Sequence, residues 1–125
     1  MLFDTEFLIC LGGYRGAAKQ NRALDFLDQN PTKLHTSRVC WMEFASGLPD
    51  AEAVRTALID FEVKEVNEAI AWRASRVARD LKGAGMHIGD NDVWIAATAL
   101  VHRLPLVSNN SRHLGRVPGL DLRGY

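Results

Sequence analysis

Residues 87–110, HIGDNDVWIAATALVHRLPLVSNN, hold two elements in succession. From Val93 to Leu100 the chain reads as a buried helix, Trp94, Ile95, Ala96, Ala97, Ala99 and Leu100, with Thr98 the only polar residue among them. LPLV follows as a buried strand that ends in three polar residues, Ser108, Asn109 and Asn110. The same alternation extends back to the N-terminus. MLFD is a short apolar run closed by an acid, and TEFLICL turns helical and stops at Gly12-Gly13. Residues 18–29 place Ala23, Leu24 and Leu27 at helical spacing before Asn30-Pro31. KLHTS is a second strand, and Ser37 caps the helix RVCWMEFASGL. DAEAVRTALIDF and VNEAIAWRASRVARDLKGAG are two more helices. In the second, Ile70, Ala74, Val77, Ala78 and Leu81 form one apolar face. GLDLRGY supplies a last strand. Strands alternating with helices predict βαβ units, an α/β fold with a parallel sheet and helices on both faces, in a single domain over residues 1–125.

Composition narrows the function classes. The 125 residues are 47% hydrophobic and 24% charged, with 15 basic and 15 acidic side chains and no formal net charge. That balance argues against a strongly basic, non-specific nucleic-acid binder while leaving room for a local acidic site. No apolar run approaches the roughly 20 residues of a membrane span, and the N-terminus has no basic signal region, so a cytoplasmic protein is expected. Cys10 and Cys40 sit among apolar neighbours without metal-motif spacing, as two buried thiols would.

Asp90 and Asp92 stand at the lip of the apolar helix, where an unpaired carboxylate is costly to bury. Asp90 reads as its N-cap. Asp92, one step inside, adds little to a helix already capped. Ligands of open α/β sheets sit at the carboxyl ends of the strands. There Asp4 ends the first strand, and the helices carrying Glu43 and Asp92 begin. Glu43 is flanked by Trp41, Met42, Phe44 and Ala45 in a helix with few polar positions. Three carboxylates on one rim repel unless a cation sits among them, and Mg²⁺ or Mn²⁺ prefers oxygen ligands. Such a cluster positions water for attack on a phosphodiester.

LFDTEFLI, TSRVCWMEFASGL and IGDNDVWIAATAL…PLVSNNSRHLGRVPGL together resemble a PIN domain, in particular the VapC-type toxins of toxin–antitoxin pairs. The resemblance spans nearly the whole chain and is most specific in its last third. It implies a three-layer α/β/α fold with a central parallel sheet. It also implies a Mg²⁺- or Mn²⁺-dependent ribonuclease whose RNA products carry 5′-phosphate and 3′-hydroxyl ends, usually homodimeric and silenced by a VapB-like antitoxin. Carried over by position, the family's acids fall on Asp4, Glu43 and Asp92, which are then the catalytic and metal-holding residues. Thr5, Ser108, Asn109, Asn110 and Arg112 become substrate or supporting residues. Asn110 stands where a fourth acid is common, and Glu6 replaces a frequent asparagine. His113 takes an aromatic position and reads as packed or exposed rather than catalytic. An antitoxin arginine inserted among the carboxylates would mimic the metal.

Arg73, Arg76, Arg79 and Lys82 recur every third residue and read first as a solvated face, second as phosphate contacts. Arg112 and Arg116, beyond the SNN edge, stand closer to the expected site. No run of exposed aromatics suggests base stacking. For a dimer, the helices over 54–61 and 70–81 are apolar enough to contribute. The rival reading keeps the fold without the chemistry, as an RNA- or protein-binding module. An aspartyl-phosphate phosphatase fits less well, because the second aspartate it needs two residues after Asp4 is Glu6.

Overall fold

The computed structural model describes all 125 residues. In chain order the elements are β1 (Leu2–Phe3), α1 (Thr5–Leu11), α2 (Ala17–Gln29), β2 (His35–Ser37), α3 (Arg38–Ala45) and α4 (Ala51–Ala57). Then come β3 (Glu62–Lys64), α5 (Glu68–Gly83), α6 (Asp90–His102), β4 (Leu106–Val107), α7 (Ser111–Leu114) and β5 (Leu122–Arg123). The strands form one all-parallel sheet in the order β3-β2-β1-β4-β5. With seven helices around it, this is the three-layer α/β/α arrangement.

β1 lies at the centre because both of its residues can be fully buried: Leu2 and Phe3 expose nothing. Leu2 pairs with His35 on one side and Leu106 on the other, and Phe3 with Val107. The Phe3 ring meets Phe7, Phe26 and Phe61 at 4.5, 6.2 and 6.0 Å between centroids. One cluster of 23 buried apolar residues runs through the whole molecule. Cys10 and Cys40 are both buried and unpaired within it.

Four caps act through side chains. Asp4, Ser37, Asp50 and Asn67 accept from the amides of Phe7, Cys40, Ala53 and Ile70. The helix of residues 93–100 is as buried as its composition requires, and Thr98 donates to the Trp94 carbonyl at 2.8 Å instead of seeking solvent. No helix of the chain is long and apolar enough to cross a membrane.

Four expectations are corrected. The sheet has a fifth strand, β3, in residues left unassigned between a helix expected to end at Phe61 and one expected from Val66. α4 stops at Ala57, and EVK joins the sheet edge in register with His35–Ser37. Charged residues are tolerated there because an edge strand has one side in solvent. Asp90 does not cap α6: Gly89 does, and exposed Asp90 is the first helical residue, where its charge still favours the helix dipole. Ala78 is exposed, leaving Ile70, Ala74, Val77 and Leu81 as the buried face of α5. Those four, with Val54 and Leu58, belong to the molecule's own core, while Ile59 and Trp72 on the same two segments remain exposed.

The basic residues of α5 are not a stripe. Three residues advance about 300° around an α-helix, so Arg73, Arg76, Arg79 and Lys82 spiral over half its circumference. Arg76 is folded back onto the Trp72 ring, 4.3 Å from its centroid.

Candidate functional site

Asp4 takes its position from two constraints. It follows the central strand, where its amide donates to the Val107 carbonyl at 3.2 Å, and its Oδ1 caps α1 by accepting from Phe7 at 2.8 Å. The residue is therefore both helix cap and cleft acid. Only 8% of it is exposed. Burial pushes its carboxyl up to about 6, and the charges of Glu6 and Asp92 add to that, while hydrogen bonds from the Ser108 hydroxyl and the Phe7 amide pull it back.

Glu43 projects from α3 into the same space. Its Oε1 accepts from the Thr5 hydroxyl at 2.7 Å, so the residue next to Asp4 holds the second acid in place. No arginine or lysine pairs with Glu43: its ordering partner is neutral and its charge stays available. Asp92, in the first turn of α6, accepts from the Asn110 amide at 3.3 Å, and His113 Nδ1 lies 3.7 Å from the same oxygen. Burial raises the Asp92 carboxyl, Glu43 raises it further, and His113 and Asn110 oppose the shift.

Asp4, Thr5, Glu6, Glu43, Asp92 and Asn110 line one open cleft of about 460 Å³ at the carboxyl edge of the sheet. The acids share it without closing into a tight three-ligand cage. Open space thus separates the carboxylates. The charged and hydrogen-bonding donors are all hard oxygens, carboxylate, hydroxyl and amide carbonyl, with no thiol or imidazole on the lining and the Met42 thioether as its one sulfur. That set fits Mg²⁺ or Mn²⁺ held partly through water, and does not suit zinc.

The other expected residues lie elsewhere. Ser108 is buried behind the cleft: its oxygen accepts from the Asn110 amide at 3.0 Å, so it supports Asp4 and Asn110 rather than facing a ligand. Asn109 turns away and is spent on the C-terminal residue, donating to the Tyr125 carbonyl at 3.0 Å and accepting from the Tyr125 amide at 2.8 Å. Arg112 is exposed on α7 and off the cleft lining. Arg116 donates to the His87 carbonyl at 2.9 Å, which ties down the loop entering α6. Glu6 is on the lining but engaged from outside by Arg15, Nε to Oε1 at 2.9 Å and Nη2 to Oε2 at 3.2 Å. Four lining residues were missed, Ile9, Met42, Ser46 and Ile95. Three sit four or three positions after Thr5, Glu43 and Asp92, the helical spacing that shares a face, and that signal was available.

A PIN-domain family model matches residues 1–120. The chain belongs to the PIN-domain family. It is 37% identical over 65 residues to ribonuclease VapC1 of Methanocaldococcus jannaschii, an overlap of 52% of this chain and 48% of that one. Against ribonuclease VapC2 of Rickettsia felis it is 31% identical over 71 residues, 57% and 49% of the two chains. The matched stretches thus span about half the length of these curated relatives. Among solved structures, a toxin–antitoxin complex from Klebsiella pneumoniae superposes with a TM-score of 0.75 at 30% identity, over 95% of this chain and 93% of that one. As a PIN domain the chain presents its acids where the parallel sheet ends and three helices begin, and the cleft is the place where its chemistry has to be sought.

Proposed function

We propose that this PIN domain is a metal-dependent endoribonuclease, the toxin of a VapBC-type pair, which hydrolyses RNA phosphodiester bonds. The observation that carries the reading is the meeting of Asp4, Glu43 and Asp92 in one open cleft with no basic side chain among them. Ribonuclease names among the relatives and the toxin–antitoxin complex among the structural neighbours support the substrate class and the partner. Asp4, Glu43 and Asp92 would hold Mg²⁺ or Mn²⁺ directly or through water. When bound, the ion supplies positive charge for the phosphate oxygens and acidifies water.

The protein's own groups do the rest. Thr5 fixes the Glu43 rotamer, and Ser108 and the Phe7 amide fix Asp4. Asn110 fixes Asp92. Oriented carboxylates accept the proton of the water that attacks phosphorus in line. The P–O3′ bond breaks and O3′ takes up a proton from water, leaving a 5′-phosphate and a 3′-hydroxyl. Asn110 adds a neutral oxygen where a fourth carboxylate would strengthen a second ion's hold. A VapB-like antitoxin would silence the site by placing a cationic side chain among the acids, and a homodimer in the cytoplasm is the expected working form.

The test is cleavage of single-stranded RNA by the purified chain with Mg²⁺ or Mn²⁺, with EDTA, and with Asp92→Asn. Loss of cleavage on both chelation and substitution is expected. A wild-type chain that cuts no RNA and binds no Mn²⁺ would overturn the proposal in favour of a binding module.

A further inference from the structure

The loop between α1 and α2 carries a ring for which the acid cleft has no use. Tyr14 is 58% exposed, yet its position is fixed. Its amide donates to the Ile9 carbonyl at 3.2 Å, and its ring meets Phe44 edge-on, 6.3 Å between centroids at 70°. The ring also lies so close over Gly12 that a Cβ there would stand 2.7 Å from its Cε2. Gly12 leaves room for the ring, and Gly13, at φ 84°, makes the turn that delivers it.

With Arg15, Phe44 and Leu48, Tyr14 lines a hollow of about 240 Å³ that continues the acid cleft, since Ile9, Glu43 and Ser46 line both. Of the seven large apolar side chains left exposed, only Tyr14 and Met42 border either space. Arg15 stands at the rim, its guanidinium held flat by the two bonds to Glu6. A nucleotide presents these same two features together, an apolar ring face and an anionic phosphate. A phosphate among the acids brings its neighbouring base to this hollow, because the two spaces share a wall.

We infer that the Tyr14 hollow is a nucleobase subsite, seating the base next to the cleaved phosphate, stacked on the Tyr14 ring and enclosed by Phe44 and Leu48. The inference rests on the ribonuclease reading and adds to it the residues that choose the cut position. Stacking on one aromatic side chain tolerates any base, so the preference arises only where Tyr14 holds the base against the walls of the hollow.

The experiment incubates wild type, Tyr14→Ala, Tyr14→Phe, Leu48→Phe and Asp92→Asn with randomised single-stranded RNA and Mn²⁺, and sequences the product ends. A base preference beside the cut is expected for wild type. Tyr14→Ala should cut about tenfold more slowly with the preference flattened, a loss of the size expected for one stacking contact. Tyr14→Phe, which keeps the ring, should rescue both, and Leu48→Phe, which narrows the hollow, should change the base preferred. Tyr14→Ala that keeps rate and preference overturns the subsite while leaving the nuclease intact. A slower Tyr14→Ala with unchanged preference also overturns it, since Tyr14 then only supports its loop. If Tyr14→Ala cuts normally but no longer co-purifies with its antitoxin, the hollow belongs to a protein partner and the inference fails. Wild type as inert as Asp92→Asn removes the ribonuclease reading and the subsite with it.

Discussion

The two ends of the central strands treat buried charge in opposite ways. At the amino end, His35 starts β2, is 7% exposed, and faces Glu62 at 3.2 Å across the β2–β3 pair, with Lys64 3.0 Å from the same carboxylate. Charges of both signs are present there, and the solvated edge strand carries most of them. At the carboxyl end, Asp4 is about as buried as His35, and its charged neighbours Glu6 and Asp92 carry the same sign. Burial alone does not mark a site, since both residues are buried. Carboxylates gathered in one cleft with bases only at its margin are the difference, because a fold that only needed stability would pair each acid directly.

The largest break of this contrast is chemical. Asp92→Asn should lower RNA cleavage about 10³-fold, within the range for losing a group that handles the proton, with RNA binding largely kept. Lys64→Ala at the other end should leave cleavage unchanged. Steady-state cleavage assays on both variants check this.

Protonation separates the two ends next. For the metal-free protein, the folded Asp4 carboxyl, pushed up to about 6 from 3.8, holds its proton more tightly than in the unfolded chain. Its contribution to stability is full below pH 3.8 and is lost as pH rises through about 6, by at most about 3 kcal/mol. Burial lowers His35, so its contribution has the opposite sign: full above the ordinary histidine value of 6.5 and lost as pH falls below it. Thermal unfolding from pH 5 to 8 should become steeper in one direction for Asp4→Asn and in the other for His35→Gln. Mn²⁺ should raise the melting temperature of wild type most at the alkaline end, where Asp4 is charged. An Asp4→Asn profile that matches wild type would remove the electrostatic distinction between the ends.

A smaller effect tests how the acids are held. Thr5→Val deletes the 2.7 Å hydrogen bond to Glu43 without changing side-chain volume much. Mn²⁺ affinity, measured by calorimetry, should fall about 10- to 100-fold, the usual cost of losing a supporting contact to a ligand. The smallest expected effect is at the rim of the sheet. Arg123→Ala breaks the exposed pair with Asp121 at 3.0 Å and should leave the melting temperature almost unchanged in thermal unfolding, with cleavage untouched.

Much of this was legible in the sequence, and the exceptions share a cause. The α/β alternation, the burial of residues 93–100 and the Ser37 cap follow from local periodicity and short-range hydrogen bonding. Glu43 stood out by its apolar flanks, while Asp4 and Asp92 were singled out by their places at a strand end and a helix start and by the resemblance to PIN-domain motifs. β3 was not legible: a charged tripeptide becomes a strand only because β2 offers its free edge. Asp90 and Gly89 exchanged the cap by one residue, a distinction that backbone geometry settles and residue preference does not. Ser108, Asn109 and Asn110 are consecutive and chemically alike, yet one lies behind the cleft, one clips the C-terminal residue and one reaches Asp92. Successive side chains leaving a strand point in different directions, and what each meets depends on segments far away in the chain.

The sequence by itself determined the class of fold, which rests on the spacing of apolar residues, and it singled out the three acids by their match to PIN-domain motifs. The tertiary structure alone decided which side chains hold those acids still, and that an exposed tyrosine borders them. Thr5 and Glu43 are 38 positions apart, Asn110 and Asp92 18, and contacts of that separation are made only when the parallel sheet brings its carboxyl ends together.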